Sequence, residues 1–346
     1  MLAPKEQEII EFVISNPLRS SKDIHEGMSS SLSYATAKRI LSKLVREKLL
    51  VIDGKGKGTK YAVSPYYKLF QPINLEEYYK NEIDDRSIYE FFNFDLIQET
   101  LAAADIFTVK ELEKLNNLQK KYTYNISQLT TLEYKKELER LAIDLSWKSS
   151  QIEGNTYTLL ETERLIKERE TASGHTKEEA SMLLNHKEAI DFIVANPDYL
   201  EPLTIAKIED IHRILTKELN IESNIRKRRV GISGTKYKPL DNEFQILEAI
   251  NFSCDLINNK STIFEKALLI LLLISYIQPF ADGNKRTARI VSNAILMNHK
   301  YCPLSFRTVD SIDYKKAMLL FYEQNNITKF KEIFIDQFEF AVDTYF

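Results

Sequence analysis

The side chains best suited to chemistry lie within residues 278–289, which read Gln-Pro-Phe-Ala-Asp-Gly-Asn-Lys-Arg-Thr-Ala-Arg. Asp282 offers a hard oxygen ligand of the kind that Mg²⁺ takes together with phosphate oxygens. Gly283 lets the backbone turn with its amides toward an anion. Arg286 and Arg289 share one face of the helix that follows, where each can bind a phosphate. The segment predicts a site for a nucleotide polyphosphate and a divalent metal ion.

Gln278, the first residue of this segment, cannot accept a proton at neutral pH. A general base needs a pKa near the working pH, and glutamine has none. Its amide can orient a hydroxyl group or bind a phosphate oxygen. The histidines offer no clear substitute, because His25 lies in the N-terminal region and the other four lie on predicted helices. We expect each of these four to be a surface or packing residue: His175, His186, His212 and His299.

Residues 278–289 resemble the signature of the Fic family, His-x-Phe-x-(Asp/Glu)-Gly-Asn-(Gly/Lys)-Arg-x-x-Arg, and depart from it only at Gln278. Two further family elements occur in the right order. Residues 149–154 (Ser-Ser-Gln-Ile-Glu-Gly) fit the family's inhibitory pattern (Ser/Thr)-x-x-x-Glu-(Gly/Asn), and residues 229–239 resemble its flap, which pins the side chain of the target. The resemblance covers about residues 140–340.

The resemblance implies that AMP is transferred from ATP to a hydroxyl side chain of a target protein, with ATP and Mg²⁺ bound. Asp282 would bind the metal ion, and Glu153 would pair with Arg289 and block the productive pose of ATP. The other residues implied are Gly283, Asn284 and Lys285 in the anion hole, Arg286 on the phosphates, Arg289 on the γ-phosphate, Ser149 and Gly154 in the inhibitory motif, and Gly231, Ile232, Ser233 and Gly234 in the flap.

Lys285 stands where most members have glycine, as it does in the Doc branch, which phosphorylates its target. Arg289 and Glu153 favour the branch that transfers AMP. Three hypotheses stay open. The chain is an adenylyltransferase inhibited by Glu153 and impaired by the missing histidine, or a non-catalytic ATP-binding, DNA-binding regulator, or an enzyme that removes AMP with Glu153 activating water.

Helical periodicity predicts the elements that position these residues. The apolar helix 262–277 ends at Pro279, and a second helix begins near Lys285. The chain is predicted to be all-α, with a Fic helical core and a small β-hairpin flap at 229–238, preceded by a winged helix-turn-helix domain. The predicted domains are 1–64 for the winged helix, 65–139 for a connector with helices, and 140–346 for the Fic region.

The N-terminal region is predicted to have helices at 4–16, 21–26 and 33–48, followed by a hairpin with the turn Asp-Gly-Lys-Gly-Lys-Gly. This order resembles a winged helix-turn-helix, in which the third helix enters the major groove and the wing contacts phosphate. Residues 1–64 carry 11 Lys/Arg and 7 Asp/Glu, and this modest basic excess favours DNA. Docking to a protein is the alternative. The expected DNA contacts are Tyr34, Thr36, Lys38, Arg39, Lys43, Lys55 and Lys57.

Length and composition set the remaining expectations. The 346 residues exceed the usual size of one domain. Only two cysteines occur, Cys254 and Cys302, which favours a reducing compartment without disulfides. The N-terminus lacks a signal-peptide pattern, and the longest apolar run, 267–277, is too short to span a bilayer. We therefore expect a cytoplasmic protein without a membrane partner, and a homodimer is consistent with this family.

Overall fold

The structure, a computed structural model, describes residues 2–29 and 32–346, and of Lys57 it describes the backbone alone. The α-helices are α1 (Pro4–Ser15), α2 (Ser21–Gly27), α3 (Tyr34–Arg46), α4 (Pro65–Phe70), α5 (Leu75–Tyr78), α6 (Val109–Ser127), α7 (Thr131–Ile152), α8 (Leu159–Glu168), α9 (Lys177–Ala195), α10 (Ile205–Leu215), α11 (Glu243–Asn259), α12 (Ile263–Ile277), α13 (Asn284–Asn298), α14 (Ser311–Gln324) and α15 (Thr328–Tyr345). The strands are β1 (Arg19–Ser20), β2 (Leu50–Asp53) and β3 (Lys60–Val63). Short 3₁₀ turns lie at Gly56–Gly58 and Ile83–Asp85, and a π-helical turn lies at Leu96–Leu101.

Contacts divide the chain into two units. The first comprises the residues up to Pro72 together with Gln324–Thr328, and the second comprises Ile73–Glu323 together with Lys329–Phe346.

In the first unit, three helices and a small sheet enclose an apolar core. The side-chain oxygens of Ser20 and Ser33 accept hydrogen bonds from backbone N–H groups, which fixes where α2 and α3 begin. Strand β3 lies between β1 and β2 and is antiparallel to both. The core consists of Ile9, Ile10, Val13, Ile24, Leu41, Leu44 and Leu50. The three helices and the hairpin predicted here are confirmed, and the relation to winged helix-turn-helix domains stays a prediction.

In the second unit, α12 is the most deeply buried helix. Every residue of the apolar run Ala267–Ile277 is buried. Helix α13 packs along α12 and also contacts α7, α9 and α10, while α11 packs on α12. The predicted all-α fold class is confirmed. Within the described residues, no helix combines the length and the apolar character needed to cross a membrane.

Residues 229–239 contain a turn at Ser233 and Gly234 and an isolated parallel bridge between Phe91 and Lys238, in place of a pair of strands. The described strands β1–β3 all lie in the first unit. Gly234 has a φ of +88°, which favours glycine at this turn. The buried Tyr237 donates its hydroxyl hydrogen to the Tyr276 carbonyl at 2.9 Å. Side-chain contacts therefore hold this segment in its position.

Candidate functional site

The loop between α12 and α13 is shaped by two residues in the left-handed region. Gln278 ends α12 with a φ of +52°, and Gly283 precedes α13 with a φ of +79°. A Cβ atom at Gly283 would lie 3.4 Å from Arg286 Nη2 and from His212 Nε2, so the positive φ rather than a lack of space favours glycine here. The predicted helix, loop and helix are confirmed at this junction, with α13 beginning at Asn284.

Asn284 closes the loop with its side chain. Its Oδ1 accepts from the Phe280 backbone N–H at 2.8 Å, and its Nδ2 donates to the Phe280 carbonyl at 2.8 Å. The same Nδ2 lies 3.0 Å from Gln278 Oε1. Phe280 is fully buried and anchors the loop in the core. The Asn284 side chain is thus committed to the shape of the loop, and its position at the start of α13 leaves the helix amides to face an anion.

Gln278 is held at both ends of its amide. Its Nε2 donates to the Ser275 carbonyl at 2.6 Å, and its Oε1 accepts from Asn284. Its backbone carbonyl accepts from Arg226 Nε at 2.6 Å. The side chain reaches the wall of a cavity and presents an amide there.

The first two turns of α13 carry two buried guanidinium groups. Arg286 and Arg289 have relative exposures of 2% and 0%. Arg286 Nη2 is 3.4 Å from Asp282 Oδ2, while its Nε and Nη1 have no hydrogen-bond partner among the described residues. Burial lowers the pKa of Arg286 below its ordinary value. A buried cation with spare donors is costly, and an anion would satisfy it.

Arg289 is bound from α7. Its Nε donates to Ser149 Oγ at 2.7 Å, and its Nη2 donates to the Ser149 carbonyl at 2.9 Å and to Glu153 Oε1 at 3.0 Å. Glu153 also lies 3.4 Å from Lys285 Nζ. Burial of Glu153 opposes its ionisation, but Arg289 and Lys285 together hold its pKa below the ordinary value. Glu153 is therefore a carboxylate at neutral pH. Gly154 follows with a φ of +100°, which lets the chain turn away from the site.

Part of this site borders a cavity of about 360 Å³, and Ser149, Gly154, Gly283, Arg286 and Arg289 lie outside its lining. Its lining residues from the predicted site are Glu153, Gly231, Ile232, Ser233, Gln278, Asp282, Asn284 and Lys285. Gly234 lies outside this lining, and its carbonyl accepts from Arg86 Nη2 at 2.9 Å. Helix α14 supplies a further wall that the sequence did not reveal, formed by Tyr314, Lys315, Met318, Leu319 and Tyr322. The three separate sequence segments thus meet at one cavity.

Comparison with known proteins agrees with this arrangement. The model of the Fic/DOC family matches residues 202–296, which include the α12–α13 loop and the segment 229–239. These residues form a Fic domain. The match covers residues 202–296 alone. The predicted inhibitory motif at 149–154 lies outside these residues.

Curated relatives are similar over a larger part of the chain. It is 29% identical over 188 residues to a protein adenylyltransferase Fic of Nematostella vectensis, covering 53% of this chain and 44% of the relative. It is 26% identical over 213 residues to a protein of the same name from Aedes aegypti, covering 60% and 42%. The chain thus spans less than half of the length of these relatives.

Solved structures share the fold. Fic-1 (residues 134–508) of C. elegans superposes with a TM-score of 0.60 at 18% identity, covering 68% of this chain and 72% of that one. A signalling protein with a Fic domain from Bacteroides thetaiotaomicron superposes with a TM-score of 0.56 at 20% identity, covering 66% and 94%. At these identities the likeness shows the fold alone.

The Fic domain offers one carboxylate to a metal ion at the loop. Asp282 Oδ1 accepts from the Gly283 N–H at 2.6 Å, and the side chain is 69% exposed. The described residues contain no group of three or more His, Cys, Asp or Glu side chains placed to bind a metal ion. A single carboxylate fits Mg²⁺ when phosphate oxygens and water complete the coordination.

Two histidines contact residues of the Fic site, and their spacing in the sequence does not reveal these contacts. His212, on α10, stacks on Phe280 with ring centroids 3.7 Å apart, and its Nε2 lies 2.9 Å from the Asp282 carbonyl. His186, on α9, lies 2.6 Å from Ser149 Oγ. Burial lowers the pKa of both. Neither ring lines the cavity, so packing, as predicted, describes both. His175 lies before α9 rather than on it.

The basic residues predicted to contact DNA lie apart from the Fic domain in sequence and differ in their surroundings. Lys38 and Arg39 project from α3 into solvent, and Tyr34 and Lys55 are also exposed. Thr36 is half-buried beside the start of α3. Lys43 instead pairs with Glu6, with Nζ 2.6 Å from Oε1. The side chain of Lys57 lies outside the described residues.

Proposed function

We propose that the chain is a Fic-type protein adenylyltransferase, which binds ATP with Mg²⁺ and transfers AMP to a hydroxyl side chain of a target protein. Glu153 inhibits it, and Gln278 makes transfer slow. The observation that carries the proposal is the surplus of buried cationic donors at the start of α13, where Arg286 Nε and Nη1 have no partner among the described residues. The adenylyltransferase names of the relatives agree with it.

The phosphates of ATP would lie against the first turn of α13. There the backbone amides, Lys285 and Arg286 supply donors, and Arg289 lies one helical turn further on. Asp282 is the carboxylate placed to bind Mg²⁺, which supplies charge neutralisation to the phosphates when bound. The contribution of these residues is to hold and orient the phosphates next to the flap segment.

Inhibition follows because Glu153 and a phosphate compete for the same cationic groups. The Glu153 carboxylate lies 3.0 Å from Arg289 Nη2 and 3.4 Å from Lys285 Nζ, and a terminal phosphate would need these donors. A second anion at this place would meet the Glu153 carboxylate and be repelled. ATP therefore has to displace Glu153 before its phosphates can take the productive position.

Gln278 keeps the position of a base without its proton chemistry. General base catalysis typically contributes about 10²–10⁴-fold, so its loss slows transfer by that order. Phosphoryl transfer depends chiefly on positioning and charge, so activity persists at a low rate. The proton of the attacking hydroxyl then passes to water.

A second candidate is an ATP-binding regulator without transfer. It is favoured by the Gln278 amide, whose two polar atoms are both bound within the protein, to Ser275 and Asn284. We propose for either function that the first unit binds DNA through α3 and the turn between β2 and β3, with Lys38, Arg39 and Lys55 as exposed contacts.

The test combines two substitutions in the full chain. Glu153→Gly frees Arg289, and Gln278→His restores a base. With ATP labelled at the α-phosphate and with Mg²⁺, Glu153→Gly should yield a weakly labelled protein, and Glu153→Gly/Gln278→His should label about 10²–10⁴ times faster. Glu139→Ala, an exposed carboxylate on the same helix, is the matched control and should behave like the parent chain.

Three outcomes separate the alternatives. Calorimetric ATP binding without any label in either variant supports the regulator. Absence of ATP binding in Glu153→Gly contradicts both candidates. Release of AMP from an AMP-modified protein by the parent chain, and its loss in Glu153→Gly, would instead indicate removal of AMP.

A further inference from the structure

A buried arginine outside the matched Fic domain contacts the flap segment. Arg86 lies in the connector that precedes α6 and has a relative exposure of 8%. Its guanidinium carbon lies 5.1 Å from the centroid of the Tyr79 ring and 5.9 Å from that of Tyr78. The group is thus buried against two aromatic rings, where a hydrogen bond is stronger than in water, and its Nε has no hydrogen-bond partner among the described residues.

The fork of Arg86 joins two distant parts of the chain. Its Nη1 lies 3.1 Å from both Glu323 carboxylate oxygens, at the end of α14. Its Nη2 donates to the Gly234 carbonyl at 2.9 Å, in the turn of the flap segment. Glu323 is fully buried and also accepts from the Tyr78 hydroxyl at 2.7 Å. One planar group therefore fixes the flap turn relative to α14.

The connector also contacts the residues after this turn. Lys236 Nζ lies 2.9 Å from Asp84 Oδ1, and the Lys238 N–H donates to the Glu90 carbonyl at 2.8 Å. The residues before the turn, 230–233, line the candidate cavity. The flap segment thus has an anchored half, 234–238, and a half that faces the site.

We propose that Arg86 is a positioning residue of the Fic site, which holds the Gly234 turn so that residues 230–233 present the target's hydroxyl side chain to the bound nucleotide. The inference rests on the proposed transfer of AMP to a protein target. A lysine ammonium is a single point of charge, so it can pair with Glu323 but cannot reproduce the planar fork that also reaches Gly234. The arginine is required for its geometry as well as for its charge.

Arg86→Lys in the full chain tests the proposal without relying on activity. Trypsin cleaves after Lys236 only when the segment leaves the protein, because the next residue, Tyr237, is buried. We expect cleavage there to be about tenfold faster in Arg86→Lys, since loss of a charged hydrogen bond raises the open population by that order. Arg307→Lys is the matched control: Arg307 pairs with Asp144 at 3.2 Å, lies outside the cavity lining, and should leave the cleavage rate unchanged.

The activity readout uses Glu153→Gly/Gln278→His as the parent. Adding Arg86→Lys should lower kcat/KM for the protein acceptor about tenfold and leave calorimetric ATP affinity unchanged. If the parent transfers no AMP, the proposed function fails while the cleavage assay still decides the role of Arg86.

Unchanged cleavage after Lys236 in a folded Arg86→Lys overturns the proposal, as does an equal loss of ATP affinity. If Arg86→Lys does not fold, Arg86→Met/Glu323→Met replaces the buried ion pair by apolar side chains, which proteins commonly tolerate. That variant should fold and show the same faster cleavage, and a parental rate in it would likewise overturn the role of Arg86.

Discussion

Two groups of basic side chains were predicted to bind phosphates, and they differ in what already surrounds them. Arg286 and Arg289 are buried at the start of α13, and Arg286 has two donors without a partner among the described residues. Lys38 and Arg39 on α3 are exposed to solvent. Burying a cation is costly, whereas exposing one is not. The buried arginines of α13 therefore indicate an anion site by themselves. The exposed basic residues of α3 indicate only a surface to which an anion can bind.

The largest effect is expected from Arg286→Met in the Glu153→Gly background. ATP affinity should fall about 100-fold, because charged hydrogen bonds to the phosphates are lost. The free energy of unfolding of the ligand-free chain should stay equal or rise by about 1 kcal/mol, because an incompletely paired buried charge is removed. Isothermal titration calorimetry and urea unfolding measure the two quantities.

Arg140→Met, at an exposed arginine of α7, is the control and should change neither quantity much. A large loss of stability in Arg286→Met with ATP affinity intact would break the comparison, because Arg286 would then be a structural cation.

A smaller effect is expected from Lys38→Ala/Arg39→Ala. If both contact phosphates, the slope of log K against log salt for a DNA duplex should become less steep by about 2. Fluorescence anisotropy over a salt series measures this slope. Lys114→Ala, in the second unit, should leave it unchanged, and an unaltered slope in the double variant would remove α3 from the DNA interface.

The smallest effect is expected from Lys43→Ala, which tests whether Lys43 stabilises the fold rather than binding DNA as Lys38 and Arg39 are proposed to do. The hydrogen bond from Lys43, and then that from the Ala3 N–H, lowers the pKa of Glu6 below its ordinary value. The stabilisation from the Glu6 carboxylate is therefore complete at a pH above the pKa of Glu6 in the unfolded chain. It is lost as the pH falls through the lower pKa of Glu6 in the folded chain.

Lys43→Ala should consequently lose stability at pH 7 but much less at pH 3, with the DNA salt slope unchanged. Hydrogen exchange of the α1 and α3 amides in urea at the two pH values measures the difference. A reduced salt slope in Lys43→Ala would instead place this lysine at the phosphates.

Local signals account for what the sequence predicted well. Pro279 restricts the backbone where α12 ends, and Gly283 allows the turn that precedes α13. Because these restrictions act within a few residues, the position of the loop 278–283 could be predicted from the sequence. Ser33 likewise marks the start of α3 through its own side chain.

What the sequence did not reveal depends on residues that are far apart along the chain. Arg86 and Glu323 form a buried pair across 237 positions, and no periodicity joins them. The role of helix α14 as a wall of the cavity depends on how it packs against distant parts of the chain. The flap segment was expected to be a small hairpin, yet Tyr237 and Lys238 are anchored through Tyr276 and Glu90.

The Asn284 side chain accepts from and donates to the same residue, Phe280, with both bonds at 2.8 Å. Hydrolysis of this amide to a carboxylate would keep the acceptor but replace the donor with a second negative oxygen facing a carbonyl. Chemical ageing at this one position would thus open the loop and place an extra negative charge where phosphates are expected. The fraction of stored protein deamidated at Asn284, measured by intact mass and peptide analysis, should therefore increase in step with the loss of nucleotide binding.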